Sequence, residues 1–317
     1  MKKILITGCA GFIGSNLTDK LSNSDFQVVG IDNFNNYYDP KIKEGNIRSA
    51  LQNKNFKLYR KDILNYDLLR AIFKKEKPDI VIHLAARAGV RPSIDNPKLY
   101  AEVNVLGTVN LLKLSVDYKI KKFIFGSSSS VYGNSPKIPF GEEDNCENII
   151  SPYGASKRAA EFFVESFHHT FGLKSTILRF FTVYGPRGRV DMASALFTKA
   201  VMDGTAINQF GDGTSSRDYT YIDDIVDGII KTIEKDSGFE IINLGNNHPV
   251  TLTEFINSIE NITGKKAIIN KMPSQTGDVS KTWASIGKSK KLLGWRPKTP
   301  IKKGMMLYYN WLLDNNP

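Results

Sequence analysis

The chain has 317 residues, 43 Lys and Arg against 32 Asp and Glu, and a formal net charge of +11. Its 41% hydrophobic and 24% charged residues are the make-up of a globular protein with one large core or two modest ones, not of a disordered or fibrous chain. No apolar run approaches the ~20 residues of a membrane span, the basic residues are scattered rather than gathered as a nucleic-acid surface needs, and Cys9 and Cys146 fit neither a metal spacing nor a disulfide framework. The chain opens Met-Lys-Lys-Ile-Leu-Ile, like a signal peptide, but glycines and polar residues break the apolar stretch at once, so a cytoplasmic protein is expected. A strand is predicted over 3–7. Phe12, Ile13, Leu17 and Leu21 then recur at helical spacing and predict a helix over 12–22. Between them lies Gly8-Cys-Ala-Gly11-Phe-Ile-Gly14. Gly8 allows a tight turn, Gly11 lets backbone approach a pyrophosphate, and Gly14 lets the helix pack on the strand. The helix N-terminus would offer its unpaired N–H groups to the anion. The next predicted strand, 27–31, ends at Asp32. A carboxylate there accepts from both ribose hydroxyls and repels a 2′-phosphate, which favours NAD over NADP.

Residues 33–53 are polar and irregular and read as a loop with a short helix. Further strands are predicted over 56–60, 79–84, 121–127 and 174–180, and further helices over 65–75, 98–117 and 151–171. This alternation argues an α/β fold of Rossmann type, a doubly wound parallel sheet with helices on both faces. After Gly185 the regularity fades. Residues 186–189 and 210–216 read as loops, a strand over 239–244 returns to the sheet, and the tail from 251 mixes helices with Pro-marked turns. The expected organisation is a dinucleotide-binding domain over 1–180 and, over 181–317, mainly a smaller α/β substrate-binding domain. Ligands should lie beyond the carboxyl ends of the strands, between the sheet and the later segment.

Tyr153-Gly-Ala-Ser-Lys157 places a phenol and an ammonium one helical turn apart, on one face. A free tyrosine has a pKa of about 10 and is a poor base at neutral pH. A nearby cation favours the phenolate, so the pair is suited to accept a proton from a substrate hydroxyl. The spacing alone also arises by chance on surface helices. Its weight comes from the glycine loop upstream.

The glycine loop, the run Ser127, Ser128, Ser129, Ser130-Val-Tyr-Gly133, and Tyr153-Gly-Ala-Ser-Lys157 together resemble the extended short-chain dehydrogenase/reductase family. Arg179-Phe-Phe-Thr-Val-Tyr-Gly-Pro186 and Arg217-Asp-Tyr-Thr-Tyr-Ile-Asp-Asp224 narrow the resemblance to its nucleotide-sugar epimerase branch. Arg87-Ala-Gly-Val-Arg-Pro-Ser93 and the segment from Thr182 to Met192 are most similar to UDP-glucuronate 4-epimerases, with UDP-glucose 4-epimerases as near neighbours. The resemblance implies an isomerase acting on a UDP-sugar with NAD held throughout. Tyr153, as phenolate, would take the proton of the sugar O4, and Ser128 would bridge or relay it. C4 would give a hydride to NAD⁺, and the 4-keto sugar would turn and take it back on the other face. Lys157 would bond the nicotinamide ribose and keep Tyr153 ionised. The implied cofactor contacts are Gly8, Gly11, Phe12, Ile13, Gly14, Asp32, Asn33, the pair Asp62 and Ile63 at the adenine, Leu84, Ala85, Ala86 and Phe180, with Asn104 buttressing the active site. Arg217 would grip the UDP phosphates and Asp278 would sit near the uridine ribose. Two departures stand out. Many relatives carry an Arg shortly before this Gly-Asp, where this chain has Gln275-Thr-Gly-Asp278, and many UDP-hexose epimerases carry an Asn where this chain has Thr182.

A uronic acid poses its own problem, because once C4 is a ketone the C5 carboxylate is β to a carbonyl and can leave as CO₂. An epimerase must hold that carboxylate with fixed donors. Ser129, Ser130 and Thr182 could supply hydroxyls, and Arg189 or Arg91 a charge. Equally, the serine run could be a polar turn in which Ser128 alone matters, and Arg91 a surface residue. A 4,6-dehydratase would show an Asp-Glu pair after the hydroxyl residue, and a decarboxylase a Glu before Val-Tyr-Gly. Ser129 and Ser130 stand there instead. A plain reductase and a non-catalytic NAD-bound protein are the readings outside epimerisation, and an activated phenol argues against the second. The resemblance also implies a homodimer through the helices predicted over 98–117 and 151–171, although those faces could equally pack inside one subunit. Neither a metal nor a nucleic-acid partner is expected.

Overall fold

Short β-branched and aromatic runs bounded by Gly, Asn and Pro make the strands of this chain, and capped amphipathic runs make its helices. A computed structural model describes residues 1–235, 237–273 and 279–315. The first six strands are β1 (Lys2–Thr7), β2 (Phe26–Asp32), β3 (Phe56–Arg60), β4 (Ile80–His83), β5 (Lys122–Ser128) and β6 (Ser175–Phe180). The later ones are β7 (Thr182–Tyr184), β8 (Ala206–Phe210), β9 (Ser216–Tyr221), β10 (Phe239–Leu244), β11 (Pro249–Thr251) and β12 (Ile268–Met272). The main sheet has seven strands in the order β10-β6-β5-β4-β1-β2-β3, all parallel. Strands run outward from β1 on one side and from β4 on the other, so the order reverses between them. That is the crevice where ligands bind in such sheets. Two small sheets, β11-β9-β7 and β12-β8, stand beyond the carboxyl end.

The helices are α1 (Phe12–Ser22), α2 (Pro40–Leu51), α3 (Tyr66–Glu76), α4 (Val90–Asp95), α5 (Pro97–Ala101), α6 (Gly107–Asp117), α7 (Pro152–Phe171), α8 (Ala193–Asp203), α9 (Ile222–Glu234), α10 (Leu252–Thr263), α11 (Gly287–Leu293) and α12 (Ile301–Asn315). Their ends follow capping chemistry. Ser151 caps α7 by accepting from Gly154 N, Pro152 opens it, and Gly172 closes it in the left-handed region at φ +69°. The polar stretch 33–53 holds more helix than its sequence suggests. Its few apolar side chains leave α2 little periodicity, but Asp39 accepts from Lys41 N and Pro40 occupies the first turn.

The predicted helix over 98–117 is interrupted. A π turn spans Glu102–Leu106 between α5 and α6, with Gly107 N bonding Glu102 O. After Gly185 the chain is more regular than its pattern implies, because strands of three to six residues alternate with α8, α9 and α10. Ile222, Ile225, Ile229 and Ile233 form one buried stripe of α9 and share a continuous core cluster with Ile4, Ile124 and Leu178 of the main sheet. Each such side chain contributes about 1.5–3 kcal/mol by burial, so the later segment is anchored on the sheet. The other face of the sheet packs Leu5, Val81, Phe123 and Ile177 under α3, α6 and α7.

Candidate active site

The carboxyl ends of β1, β2, β4, β5 and β6 open into one cavity of about 350 Å³. Its cofactor side begins at the loop after β1. Gly8 has φ +71°, and a Cβ there would lie 2.7 Å from Ala85 N. A Cβ at Gly14 would lie 2.0 Å from Gly8 O. The loop therefore closes on itself and on the β4 loop only as glycine, and presents bare backbone at the start of α1. Asp32 is buried, and its carboxylate accepts from Ala10 N (3.1 Å) and Phe34 N (2.8 Å). Two backbone donors leave a carboxylate with acceptor capacity to spare. Asn33 Nδ2 donates to Asp62 Oδ2 at 2.7 Å, joining the ends of β2 and β3. Ile63, Leu84, Ala85, Ala86, Phe12, Ile13 and Phe180 complete this wall. A backbone cradle, a ribose-facing carboxylate and small residues after β4 fit a dinucleotide without a 2′-phosphate.

The other wall carries proton chemistry. Tyr153 sits in the first turn of α7, where unpaired N–H groups favour negative charge. Its own N–H donates to Ser93 Oγ (3.0 Å), and Tyr100 packs edge-on against its ring at 6.2 Å. Ser128, at the end of β5, lines the cavity beside Tyr153, accepts from Ser130 N (3.1 Å) and donates to Ser130 Oγ (3.2 Å). Burial raises the Tyr153 phenol above its ordinary value, while the Ser128 hydroxyl and the Arg189 charge act the other way. Here the geometry revises the expectation from the Tyr-x-x-x-Lys spacing. Lys157 is buried, its Nζ donates to Gly126 O at 2.7 Å and lies 4.8 Å from the Phe125 ring centroid. Burial pushes it down to about 7, with the Glu161 carboxylate opposing. The groups that favour the phenolate are thus Ser128 and Arg189, because a lysine lowered to about 7 has lost its charge before a phenol raised above its ordinary value ionises.

Ser129, Ser130, Thr182 and Arg189 line the same cavity. Arg189 is held by Asp191 (Nε–Oδ1 2.9 Å, Nη2–Oδ2 2.6 Å) and donates to Tyr37 Oη at 3.3 Å. Its charge is therefore already paired, which lessens what it alone can offer a ligand anion. Arg91 and Arg217 do not reach this cavity. They line an adjoining one of about 230 Å³, which shares Thr182 and Met192 with the first and is walled by Phe210, Tyr219 and Leu252. Arg91 lies 4.8 Å from the Phe210 ring centroid. Asn104 is buried behind the wall rather than in it. Asp278, with Gln275, lies outside the described residues.

Several lining residues carried no signal in the sequence. Tyr37, Tyr38 and Lys43 come from the irregular stretch after β2, whereas Arg87, in the turn after β4, belongs to a motif that carries the resemblance but was not expected in the wall. Tyr37 Oη donates to Ala88 O at 2.8 Å, so three loops meet at that side chain. Such contacts depend on loop conformation, which no periodicity encodes.

The sequence matches the family model described as GDP-mannose 4,6 dehydratase over residues 5–307. It is 43% identical over 313 residues to a UDP-glucuronate 4-epimerase of Thermodesulfobacterium geofontis, covering 98% of this chain and 96% of that protein. The fold resembles the UDP-glucuronic acid 4-epimerase of Bacillus cereus in complex with UDP-glucuronic acid and NAD, with a TM-score of 0.93, 39% identity and 99% of each chain covered. It also resembles the UDP-glucose 4-epimerase of Thermotoga maritima with UDP-glucose, with a TM-score of 0.91, 34% identity, and 99% of this chain and 100% of that one covered.

Proposed function

The chain belongs to the short-chain dehydrogenase/reductase-type family that the GDP-mannose 4,6 dehydratase model describes, and from that premise we propose that it is an NAD-dependent UDP-sugar 4-epimerase acting mainly between UDP-glucuronate and UDP-galacturonate. The observation that carries this reading is the junction of a glycine-loop cradle with Ser128, Tyr153 and Lys157 in one cavity. When bound, NAD supplies a hydride acceptor that is also the donor for the return step. Tyr153 takes the proton of the sugar O4 and gives it back, with the Ser128 hydroxyl bridging. Lys157 holds the nicotinamide ribose. The Gly8–Gly14 loop takes the pyrophosphate, Asp32 and Asn33 the adenosine ribose, and Asp62 and Ile63 the adenine. Arg217 and Arg91, in the adjoining cavity, take the UDP diphosphate, so residues 181–317 serve mainly the nucleotide sugar.

Ser129, Ser130 and Thr182 keep the C5 carboxylate out of line with the developing carbonyl, and Arg189, already paired with Asp191, adds a partly neutralised charge to the same cavity. The hydroxyl run stands where a dehydratase would need an acid-base pair, which favours epimerisation over elimination. UDP-glucose is the second reading, supported by the likeness to the Thermotoga maritima enzyme.

Purified protein incubated separately with UDP-glucuronate, UDP-glucose and their N-acetyl forms, and followed by NMR, should form the C4 epimer of UDP-glucuronate without CO₂ release. No epimer from any of them would refute the activity. Among the described residues no helix is long and apolar enough to cross a membrane. The enzyme works in the cytoplasm as a homodimer, without a nucleic-acid partner. Leu106 and Phe162 are each more than half exposed and offer apolar surface to such a dimer. A monomer in light scattering would count against that last point.

A further inference from the structure

Behind the catalytic wall a continuous hydrogen-bond chain joins the first strand to the helix that carries Tyr153. Parallel pairing sets Thr7 of β1 beside His83 of β4. Thr7 Oγ1 lies 2.7 Å from His83 Nδ1, and His83 Nε2 lies 2.9 Å from Thr108 Oγ1. Thr108 Oγ1 donates to Asn104 O at 2.6 Å. A hydroxyl has one proton, and a carbonyl can only accept it. Thr108 must therefore accept from His83, which puts the imidazole proton on Nε2 and makes Nδ1 the acceptor for the Thr7 hydroxyl. Thr7 Oγ1 in turn accepts from Ala85 N at 3.3 Å. The imidazole is buried between the Phe123 and Phe125 rings of the neighbouring strand, and burial, with the Lys157 charge, disfavours its cationic form.

The far end of the chain is Asn104, inside the π turn. Its side chain clasps Arg87, accepting from Arg87 N (2.7 Å) and donating to Arg87 O (2.9 Å), and also donates to Ser156 Oγ (2.9 Å). Ser156 Oγ donates to Tyr153 O at 2.8 Å. The π turn widens the helix where the Thr108 hydroxyl takes the Asn104 carbonyl, and π turns gather at functional sites. We infer that His83, as the Nε2–H tautomer, is a positioning residue that with Thr7 and Thr108 fixes the π turn, so that Asn104 holds the β4 loop and the base of Tyr153 in register with the dinucleotide loop. This deepens the epimerase reading and rests on it. His83 touches no reacting atom. Its role is to keep the cofactor wall and the base wall at one separation.

The test separates this role from simple stability. In a ¹⁵N imidazole spectrum of the intact protein, His83 should carry its proton on Nε2, and a proton on Nδ1 would overturn the chain. Thr108→Val keeps the shape and removes both bonds. It should retain bound NAD and an unchanged KM while kcat falls about tenfold, and Thr108→Ser should restore kcat. His83→Leu should behave as Thr108→Val where it folds. An active wild type beside a Thr108→Val protein with full kcat overturns the positioning role. So does a serine variant no better than valine. A wild type that epimerises no UDP-sugar, yet shows the Nε2–H tautomer, overturns the activity and leaves the hydrogen-bond chain standing.

Discussion

Two neighbouring cavities among the described residues are built in different ways. The cofactor-side cavity is framed by the ends of five parallel strands of one sheet, and two of its buried charged groups are held by backbone: Asp32 by Ala10 and Phe34, Lys157 by Gly126. The adjoining cavity is framed by strands and loops of the later segment, with Arg91 against Phe210 and with Arg217, Tyr219 and Leu252 in its lining. The contrast teaches that the glycine loop and the Tyr153 wall are tied to the main sheet, while the cavity beside them depends on how the later segment packs.

The sharpest way to break that contrast is at the base. Tyr153→Phe should fold, keep NAD and lose turnover by ~10³-fold or more, read as epimer formation by NMR. Near-normal turnover would remove Tyr153 from the mechanism. Next is the cradle. Gly14→Ala puts a methyl carbon 2.0 Å from Gly8 O, so the purified protein should carry little or no NAD, measured by chromatography of the acid-released nucleotide. Full occupancy would show that the loop can open at no cost. Asp32→Ala should weaken NAD binding about tenfold and relax discrimination against NADP. An unchanged preference would assign the choice of cofactor elsewhere.

On the substrate side the effects should be smaller and should depend on the sugar. Arg189→Ala should lower turnover of UDP-glucuronate several-fold, about 1 kcal/mol of transition-state stabilisation, or raise CO₂ release, with little change on UDP-glucose. Equal effects on both sugars would cut the link to the C5 carboxylate.

The last expected effect is on stability rather than turnover, and it depends on pH. Lys157 stands at about 7 in the folded protein against an ordinary 10.5. Between those values the unfolded chain binds more protons, so this group makes stability rise with pH through that window. Lys157→Met should therefore raise Tm most below about pH 7, with the gain shrinking as pH approaches 10.5. A gain independent of pH would mean the burial of its charge is not what costs stability.

The sheet was legible in the sequence because most of its strands contain an apolar run and because Gly8 and Gly14 at the first turn have steric reasons. The Ser128, Tyr153 and Lys157 set was legible by resemblance, but its electrostatics were not. Spacing puts Lys157 one turn from Tyr153, yet nothing in the spacing says that its Nζ reaches Gly126 O. Arg189 could be picked out as a cation, whereas its pairing with Asp191 two residues on depends on the fold of its loop. The interruption of the helix at Glu102–Leu106 is invisible to periodicity, and the bond from the Thr108 hydroxyl to Asn104 O that accompanies it leaves no mark in the apolar pattern.

The strand order has a consequence for how this chain is made. β10, the outermost strand beyond β6, follows the whole segment that builds β7, β8, β9, α8 and α9. On the ribosome, six of the seven main-sheet strands emerge well before the last, and until residue 244 is free β6 is an exposed parallel edge. Nascent chains stalled short of that point should be the species that chaperones hold and proteases cut, and the last pairing is the event that releases the newborn polypeptide from their care.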